Sequence, residues 1–542
     1  MKTKIWLILI FLLAFGLRFY QLGKVPFGFV NDEAAFGYNA YSLIHTGKDE
    51  FNKAWPMVFR SFGEGKMPVY FYLTIPSILV FGLNEFAVRF PSALLGSLTV
   101  LLVYFLVKEI SKSKSSLWPL LSALILTTLP WHIHFSRAAF EPNVGLFWMT
   151  LGSLFFFKFI KSAKLKLLFF SLFSFTLAIY SYNAFRIIIP FWLLYLVWKS
   201  RRKTKLTHLF LSAFIIVFVP WLVLISSKQS LGRFNGISIF NPQSAVMLTL
   251  EEKFRETRNQ PLWLVRTLHN KLTAFTLDYY RRYVSHFDLS FLFFTGDPLQ
   301  PRYRVPGTGQ AFWLFVPFFF IGLYQIAKKR YWSILVWLLL SPIASALTFE
   351  TPGTLRSQSM AVPLAIIIAL GVTWTVKRLA LLRWPLIILF SYCFIAYLDA
   401  YFIHAPMHEP INWQGGYRQL VKRVTELMPD YDQAIITDGR GTAYIFFLFY
   451  TQYDPAKWQA QAQTAVTLPD KFGFSTMSHL DNLFFEGEPC PAHVPLEKVL
   501  YVCTEIAPPE PGFIEIDRIY FENEQTAFVL YKANNETKTN IN

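Results

Sequence analysis

The sequence predicts a polytopic α-helical membrane protein of about eleven transmembrane helices, with a small C-terminal α/β domain outside the membrane. The chain of 542 residues is 54% hydrophobic and 18% aromatic. Only 16% of its residues are charged, whereas average soluble proteins carry about 25%. This composition excludes a soluble enzyme, because too few polar residues remain to cover several water-exposed domains.

The apolar runs define the transmembrane helices, since a helix that crosses a bilayer needs about 20 mainly apolar residues. One further apolar run, 68–82, is rich in tyrosine, which favours a helix that lies in the membrane interface or re-enters it. If this run were counted as a span, every later loop would be predicted on the opposite side of the membrane. The predicted spans lie near 5–22, 88–107, 117–131, 144–160, 167–181, 187–198, 207–225, 311–327, 332–349, 359–376 and 384–403.

The net charge of +17 raises the question of a nucleic-acid partner. With the N-terminus inside, the inner segments contain twenty Lys and Arg, whereas three short outer loops contain one each: Arg137, Arg186 and Arg356. Cytoplasmic loops of membrane proteins collect basic residues in this way. The charge therefore predicts a multi-pass protein of the plasma membrane with a cytoplasmic N-terminus, and no nucleic-acid partner.

The chain is expected to divide into two domains. Residues 1–403 form the transmembrane domain, with outer loops at 23–87 and 226–310, and residues 404–542 form the extracytoplasmic domain. The second domain combines a helical pattern with several strand-like stretches, which is typical of an α/β fold. The predicted elements are a helix at 417–427 and strands at 434–437, 498–503 and 526–531.

Two features of the extracytoplasmic domain bear on its chemistry. Gly439 and Gly441 do not make a dinucleotide-binding fingerprint, since a third glycine and an acidic partner are missing. Cys490 and Cys503 lie in the same domain, and the sequence leaves open whether they form a disulfide.

An acidic pair, Asp32 and Glu33, follows the first helix and opens a segment with helical character. One interpretation is structural: Asp32 accepts a backbone N–H as the helix cap, and Glu33 adds favourable charge to the first turn. The other interpretation is catalytic, because a carboxylate just outside the membrane can serve as a general base.

The outer basic residues are candidates for an anion site. Lys66 is either an anchor at the membrane surface or a point charge that neutralises a phosphate. Arg137, Arg186 and Arg356 lie on the side from which topology excludes basic residues. Each arginine is either one half of an ion pair, such as Arg137 with Glu141, or a bidentate phosphate ligand. Three arginines around one outward cavity favour the anion site.

His132 and His134, with Glu141 nearby, raise the question of a metal. Residues i and i+2 of a helix point to different faces, so the two histidines fit a common metal poorly. We expect them to be interface histidines.

Several short motifs follow one another along the chain. They are Asp32-Glu33, Thr46-Gly47-Lys48-Asp49-Glu50, Lys66-Met67-Pro68-Val69-Tyr70-Phe71-Tyr72, Arg89-Phe90-Pro91-Ser92-Ala93, Ser136-Arg137, Tyr182-Asn183-Ala184-Phe185-Arg186, Gly296-Asp297, Pro306-Gly307-Thr308-Gly309 and Leu355-Arg356-Ser357. In their order and topology they resemble the polyprenyl-phosphate-sugar-dependent glycosyltransferases of the GT-C class. The resembling branch contains the protein O-mannosyltransferases and the lipid A aminoarabinose transferase, and the match runs through most of 1–405.

The resemblance implies a bundle of transmembrane helices with an outward-facing active site and a polyprenyl-monophosphate sugar as donor. It implies that Asp32 is the general base, with Glu33 as its neighbour, and that Lys66 contacts the donor phosphate. Met67 stands where the family's lysine motif has a proline.

The resemblance leaves a divalent metal open, and no cofactor is required. In the aminoarabinose branch, a Glu directly before the phosphate-binding lysine helps to hold a metal. Here Gly65 occupies that place and Glu64 is one residue earlier. The weak metal candidates are Glu64 and Glu141.

We therefore predict an integral membrane glycosyltransferase that moves a sugar from a polyprenyl phosphate in the lipid bilayer to an acceptor at the outer face, with inversion at the anomeric carbon. Two alternatives are a transporter or flippase of lipid-linked sugars and a non-catalytic subunit of envelope assembly. The sequence shows no internal repeat of the kind common in transporters. The residues expected to bind the donor phosphate are, in this order, Lys66, Arg356, Arg137 and Arg186.

Overall fold

The computed structural model describes residues 2–111, 117–200, 212, 214–225, 238–241, 245–256, 261–438, 442–467, 476–487, 490, 496–504 and 512–534. Helices dominate these residues. Numbered in chain order, the α-helices are α1 (Lys2–Phe19), α2 (Asn31–Thr46), α3 (Pro68–Phe81), α4 (Glu85–Ile110), α5 (Leu117–Thr128), α6 (Pro130–Arg137), α7 (Glu141–Ser162), α8 (Leu165–Ile179), α9 (Phe185–Ser200), α10 (Val219–Ile225), α11 (Ala245–Glu256), α12 (Leu262–Leu268), α13 (Lys271–Ser285), α14 (Val316–Lys328), α15 (Trp332–Leu340), α16 (Ile343–Ala346), α17 (Ala361–Arg378), α18 (Arg383–Asp399), α19 (Ala405–His408), α20 (Tyr417–Leu427), α21 (Ala443–Tyr450) and α22 (Pro455–Ala465).

The strands belong to a short hairpin and to a larger sheet. They are β1 (Phe59–Ser61), β2 (Glu64–Lys66), β3 (Gln433–Thr437), β4 (His479–Leu480), β5 (Leu483–Glu486), β6 (Val499–Cys503), β7 (Phe513–Tyr520) and β8 (Thr526–Ala533).

The chain forms two compact units. The first contains residues 1–20 and 92–401, and the second contains residues 21–91 and 402–542. The segment 21–91, which holds the predicted first outer loop, thus belongs to the same unit as the C-terminal segment. The predicted boundary between 403 and 404 lies two residues from a boundary of these units.

The first unit is a bundle of apolar helices. Four described helical segments are long and apolar enough to cross a membrane: Glu85–Ile110, Glu141–Ser162, Gln358–Arg378 and Ala380–His408. Further predicted spans coincide with shorter apolar helices, among them α5, α8 and α15. Residues 207–211 and 213 of the predicted span 207–225 lie outside the described residues. The number of spans remains a prediction.

Small residues allow the helices of the bundle to approach closely. At Gly371 on α17, an added Cβ would overlap the backbone carbonyl of Phe318 on α14. At Gly322 on α14, it would overlap the carbonyl of Ile367 on α17. Van der Waals packing at such small residues is a main source of helix association within membranes, where apolar burial supplies no driving force.

The second unit contains a six-stranded sheet in the order β4-β5-β3-β6-β8-β7. Strands β5 and β6 both run parallel to the central strand β3, and the remaining pairs are antiparallel. The helix and the three strands predicted for this region are confirmed as α20, β3, β6 and β8. Cys490 and Cys503 form a disulfide with Cα atoms 4.4 Å apart. Gly439 and Gly441 lie outside the described residues.

Helix α21 forms the apolar centre of the second unit. Its residues Ala443 to Phe449 are all buried. Helix α2 packs against α21, α22 and α3, and the hairpin β1–β2 precedes α3. The acidic pair at the start of α2 is therefore attached to a well-packed helix.

Candidate active site

Helix α2 carries the acidic pair in its first turn. The backbone N–H of Val30 donates to Glu33 Oε2 at 3.3 Å, and that of Asn31 donates to Gln414 Oε1 at 2.6 Å. The helix ends at Thr46, and Gly47 follows with a left-handed φ of 70°. Asp32 lies inside the helix as its second residue, so the interpretation of Asp32 as the helix cap is wrong. Glu33 accepts the N–H that precedes the helix instead.

Asp32 forms an ion pair with Lys66, the last residue of β2. The side chain of Asp32 is 33% exposed, whereas that of Lys66 is only 6% exposed. The ammonium group also lies 5.3 Å from the ring centre of Phe36 and 5.8 Å from that of Phe62. A buried ammonium group requires a counter-charge, because desolvation of an isolated charge is costly. Asp32 provides this charge and keeps one side accessible.

Glu33 occupies a different environment from its neighbour. Its carboxylate accepts from Arg89 Nε and Nη2, each at 2.9 Å, and both side chains are buried. Arg89 also donates to the carbonyls of Leu22, Pro26 and Gly28 at 3.3, 3.0 and 2.7 Å. Glu33 is fully buried, so its carboxylate cannot reach a substrate without rearrangement. This pair fixes the segment that leads into α2.

Residues of the C-terminal segment contact α2 at several points. Tyr38 Oη donates to the carbonyl of Tyr453 at 3.2 Å, and Gln459 Nε2 donates to Ser42 Oγ at 3.0 Å. At Gly37, an added Cβ would overlap the ring of Phe449. These contacts span α2 from its second turn to its fourth and hold it in one orientation.

Glu50, just after α2, is a buried carboxyl group. It accepts from Asn39 Nδ2 at 2.9 Å and from Tyr444 Oη at 3.2 Å. Burial raises the pKa of Glu50 to about 8, even though these hydrogen bonds favour the ionised form. The carboxyl group is therefore mainly protonated at neutral pH.

Arg356 lies in the first unit, in a loop between α16 and α17. Its Nη2 forms an ion pair with Glu350 Oε2 at 2.8 Å. The buried carboxylate of Asp297 accepts from the backbone N–H of Thr354 at 2.9 Å, and Gln310 Nε2 donates to Thr354 Oγ1 at 2.9 Å. Asp297 and Gln310 therefore position the loop that carries Arg356.

His286 supports the same loop. Burial lowers the pKa of His286 to about 4, so the imidazole is neutral at pH 7. Its Nδ1 lies 2.8 Å from the carbonyl of Arg282, and its Nε2 accepts from the backbone N–H of Gly353 at 3.2 Å. The two contacts assign the proton to Nδ1.

Arg137 binds the C-terminal end of α1. Its Nη1 and Nη2 donate to the carbonyls of Leu17 and Tyr20 at 2.6 and 2.7 Å. Arg18 of α1 in turn donates to the carbonyls of Leu126 and Thr127 near the end of α5, each at 3.4 Å. The last carbonyls of a helix lack intrahelical partners, and basic side chains satisfy them. The two arginines therefore close the ends of neighbouring helices.

The remaining candidates are distributed between the units. Arg186, at the start of α9, is buried in the first unit, and its convergence with Arg137 and Arg356 on one cavity stays a prediction. Asp32, Glu33 and Lys66 are in the second unit.

His132 Nδ1 lies 2.6 Å from Arg18 Nη2, whereas His134 Nε2 lies 2.8 Å from the carbonyl of Arg302. The two histidines therefore contact different partners.

The described residues do not assemble a metal site. Among them, no three His, Cys, Asp or Glu side chains lie close enough together to hold a metal ion. The two weak candidates, Glu64 and Glu141, belong to different units. We therefore derive no chemical step that passes through a metal.

Sequence reasoning did not assign a structural role to Arg89, Asp297 or Arg18. A signal existed for each of them. Arg89 and Asp297 occur in the motifs that carry the family resemblance, and Arg18 is a charged residue inside a predicted span, where charges are costly and need a partner.

The sequence of part of the chain matches a known family. Residues 65–224 match the model of the dolichyl-phosphate-mannose-protein mannosyltransferase family. The matched segment includes Lys66, Arg89, Arg137 and Arg186. No curated protein matches the chain.

Solved structures with a similar chain course include proteins of two organisms. An oligosaccharyltransferase of Archaeoglobus fulgidus, in complex with Zn and sulfate, is 14% identical at a TM-score of 0.49, and the match covers 82% of this chain and 61% of that chain. AglB from the same organism, in complex with an inhibitory peptide and a dolichol-phosphate, is 13% identical at a TM-score of 0.49, with 83% and 63% covered. The chain thus spans about three fifths of the length of these archaeal proteins.

ArnT from Cupriavidus metallidurans, bound to undecaprenyl phosphate, is 12% identical at a TM-score of 0.41, with 97% of this chain and 98% of that chain covered. The family match over residues 65–224 confirms, for that part of the chain, the resemblance that the motifs predicted.

Proposed function

We propose that this protein is an integral membrane glycosyltransferase that transfers a sugar from a polyprenyl-phosphate donor to an acceptor hydroxyl at the outer face of the membrane. The observation that carries this proposal is the ion pair of Asp32 with Lys66. Lys66 lies at the start of the segment that matches the mannosyltransferase family. Sugar transfer from a phosphate needs a base for the acceptor and a cation for the leaving group. The pair provides both.

Asp32 is the proposed general base. Its side chain is accessible, whereas Glu33 is buried and bound by Arg89. Glu33, which the sequence places beside Asp32 as a catalytic candidate, is proposed to be a positioning residue: with Arg89, it fixes the start of α2 and hence the direction of Asp32.

The reaction balances without a further reactant. The Asp32 carboxylate takes the proton of the acceptor hydroxyl, and the acceptor oxygen forms a bond to the anomeric carbon. The bond between that carbon and the phosphate oxygen breaks, and its electron pair leaves with the polyprenyl phosphate. Attack from the side opposite the phosphate inverts the anomeric configuration.

Lys66 links donor binding to the activation of the base. Its buried ammonium group is neutralised by Asp32 when no donor is bound. A donor phosphate that approaches Lys66 supplies the counter-charge in place of Asp32, so the carboxylate is released to accept a proton. Lys66 then stabilises the charge that develops on the leaving phosphate.

Arg356 is the proposed second phosphate ligand, since its loop is fixed while its guanidinium can exchange Glu350 for a phosphate. Arg137 and Arg186 rank lower, because the terminal nitrogens of Arg137 bind carbonyls of α1 and Arg186 is buried. The proposed orientation has a cytoplasmic N-terminus, and residues 404–542 form the extracytoplasmic domain.

The test is sugar transfer by the purified full chain in lipid nanodiscs. Radiolabelled dolichyl-phosphate mannose and undecaprenyl-phosphate sugars serve as donors, with a membrane extract from cells that lack the protein as acceptor. We expect wild-type protein to transfer label and Asp32→Asn to lose at least 100-fold in rate, because general bases typically contribute about 10² to 10⁴. The exposed carboxylate variant Asp430→Asn serves as the matched control and should retain full activity.

Three outcomes contradict the proposal. Near-normal transfer by a folded Asp32→Asn variant would show that Asp32 is not the general base. Label that crosses the membrane of a sealed vesicle without transfer indicates a flippase. If the protein neither transfers the label nor binds the donor, it is an assembly subunit.

A further inference from the structure

The turn of the hairpin β1–β2 contains a residue that such turns disfavour. Ser61 pairs with Glu64, so Phe62 and Gly63 form the turn between the two strands. Both have a positive φ, of 50° and 83°. Two-residue turns with this backbone prefer Asn-Gly, because asparagine and glycine tolerate positive φ. A bulky aromatic residue in this conformation is strained, and such strain is concentrated at functional sites.

The ring of Phe62 is buried beside a cation and a tyrosine. The residue is only 5% exposed, and its ring centre lies 5.8 Å from Lys66 Nζ. The ring of Tyr444 on α21 meets it edge-on, with 6.0 Å between the ring centres. Tyr444 is itself fully buried, and its hydroxyl donates to Glu50 Oε2 at 3.2 Å. A fixed partner therefore holds the ring that lies near Lys66.

A second ring lies over the same ammonium group. Phe36 of α2 is fully buried, and its ring centre lies 5.3 Å from Lys66 Nζ. It packs against Tyr70 and Phe71, with 4.6 and 4.7 Å between the ring centres. Phe36 is one helical turn after Asp32, and residues four apart lie on the same side of a helix. The second ring and the carboxylate therefore reach Lys66 from the same face of α2.

The two rings act on the ammonium group differently from a carboxylate. An aromatic face attracts a cation through its quadrupole, and the attraction is larger where water is excluded. A ring face holds the charge without replacing the oxygen atoms that the N–H groups bind. The side chain of Lys66 is almost entirely buried, and charges attract each other more strongly in such a poorly hydrated place than in water.

We infer that Phe62 is a positioning residue, whose ring keeps the ammonium group of Lys66 dry and in place while the partner of that group changes from Asp32 to the donor phosphate. Phe36 supplies the second ring of this aromatic cage. Neither ring takes part in the exchange, so the cage persists when the donor binds. The inference rests on the proposed function and adds to it a residue that sets the affinity for the donor phosphate.

The experiment measures the binding of undecaprenyl phosphate to the purified full chain in detergent, by titration in native mass spectrometry. A trifluorinated phenylalanine in place of Phe62 keeps the shape of the ring but removes most of the negative charge from its face. An ammonium group that the ring no longer attracts can turn towards water, and phosphate binding must reverse this. We therefore expect the dissociation constant to rise about 5- to 30-fold, which corresponds to one partly desolvated cation–π contact.

Phe51→Leu is the matched control. The ring of Phe51 lies 4.8 Å from the guanidinium carbon of Arg60 in the same hairpin, and Arg60 has no part in the proposed reaction. This variant should bind the lipid like the wild type. Phe62→Asn separates the cage from the turn, because it supplies the residue that the turn prefers but removes the ring; it should weaken binding at least as much as fluorination. If Phe62→Asn does not fold by circular dichroism, the fluorinated ring of unchanged shape decides.

Three results would overturn the inference. Unchanged binding by the protein with the fluorinated ring would show that the ring face does not act on Lys66, and the proposed function would stand. Unchanged binding by a folded Phe62→Asn variant would reduce Phe62 to a turn residue, again without touching the proposed function. If the wild type does not bind undecaprenyl phosphate, the proposed donor is wrong and the inference falls with it.

Discussion

Replacing Arg89 by Leu should destabilise the protein strongly. The variant leaves the Glu33 carboxylate without its cation in a fully buried position, and it removes the donor from three backbone carbonyls. Removing one partner of a buried ion pair typically costs about 3–5 kcal/mol, because the remaining charge has no compensation. We therefore expect the free energy of unfolding to fall by about 3–5 kcal/mol or more.

The assay is equilibrium unfolding of the purified protein in detergent, followed by tryptophan fluorescence. Arg518→Leu is the matched control, since Arg518 pairs with Glu515 at 2.7 Å through exposed side chains of the same unit. Exposed pairs contribute about 0–1 kcal/mol. The double variant Arg89→Leu/Glu33→Leu should cost less than the sum of its single variants, because it removes the orphaned charge.

A cost for Arg89→Leu no larger than that for Arg518→Leu would refute this reasoning. It would mean that water compensates the Glu33 carboxylate in the variant, and that Arg89 does not fix the start of α2.

Three further predictions concern α2 and its surroundings. The pKa of Glu50 is raised from 4.5 to about 8 in the folded state, so the contribution of Glu50 to stability is complete below pH 4.5 and is lost as the pH rises to 8. Between pH 5 and 8, the melting temperature of the wild type should therefore fall more than that of Glu50→Gln. Parallel curves for the two proteins would contradict this. Gln414→Leu removes the acceptor of the Asn31 N–H and should speed hydrogen exchange in the first turn of α2. Gln414→Glu keeps an acceptor oxygen and should not speed it. Equal exchange in both variants would show that this hydrogen bond is dispensable. Gly37→Ala should destabilise the protein by about 1–3 kcal/mol in thermal unfolding, because the added Cβ overlaps Phe449. Gly16→Ala, with open space around the added Cβ, should leave the stability unchanged or raise it. A stability change of the same sign in both variants would refute the overlap.

The sequence predicted the helical bundle well, because apolar runs of membrane length constrain the backbone to helices. Through the family resemblance of two separate motifs, it also predicted that Asp32 and Lys66 belong to one site. It could not predict that Glu33 binds Arg89, since the two residues are 56 positions apart and nothing local indicates their contact.

The role of Arg137 was equally hidden in the sequence. Its position on the predicted outer side marked it as unusual, and phosphate binding was one explanation. The structure supplies another, because the unpaired carbonyls at the end of α1 also require donors. Whether a basic side chain can satisfy these carbonyls depends on which helix ends are neighbours, and only the tertiary structure shows that. The grouping of residues 21–91 with the C-terminal segment escaped prediction for the same reason.

The contact between α2 and the C-terminal segment has a consequence for biosynthesis. Asn31 and its acceptor Gln414 are separated by 383 residues. At a synthesis rate of about 5–20 residues per second, the ribosome needs roughly 20–80 s to make the intervening chain. During this time the bundle is already being inserted, while α2 lacks the surface that buries its apolar side chains. The helix that carries Asp32 therefore matures last although it is made early, and a nascent chain interrupted before residue 414 should expose it to proteases or chaperones.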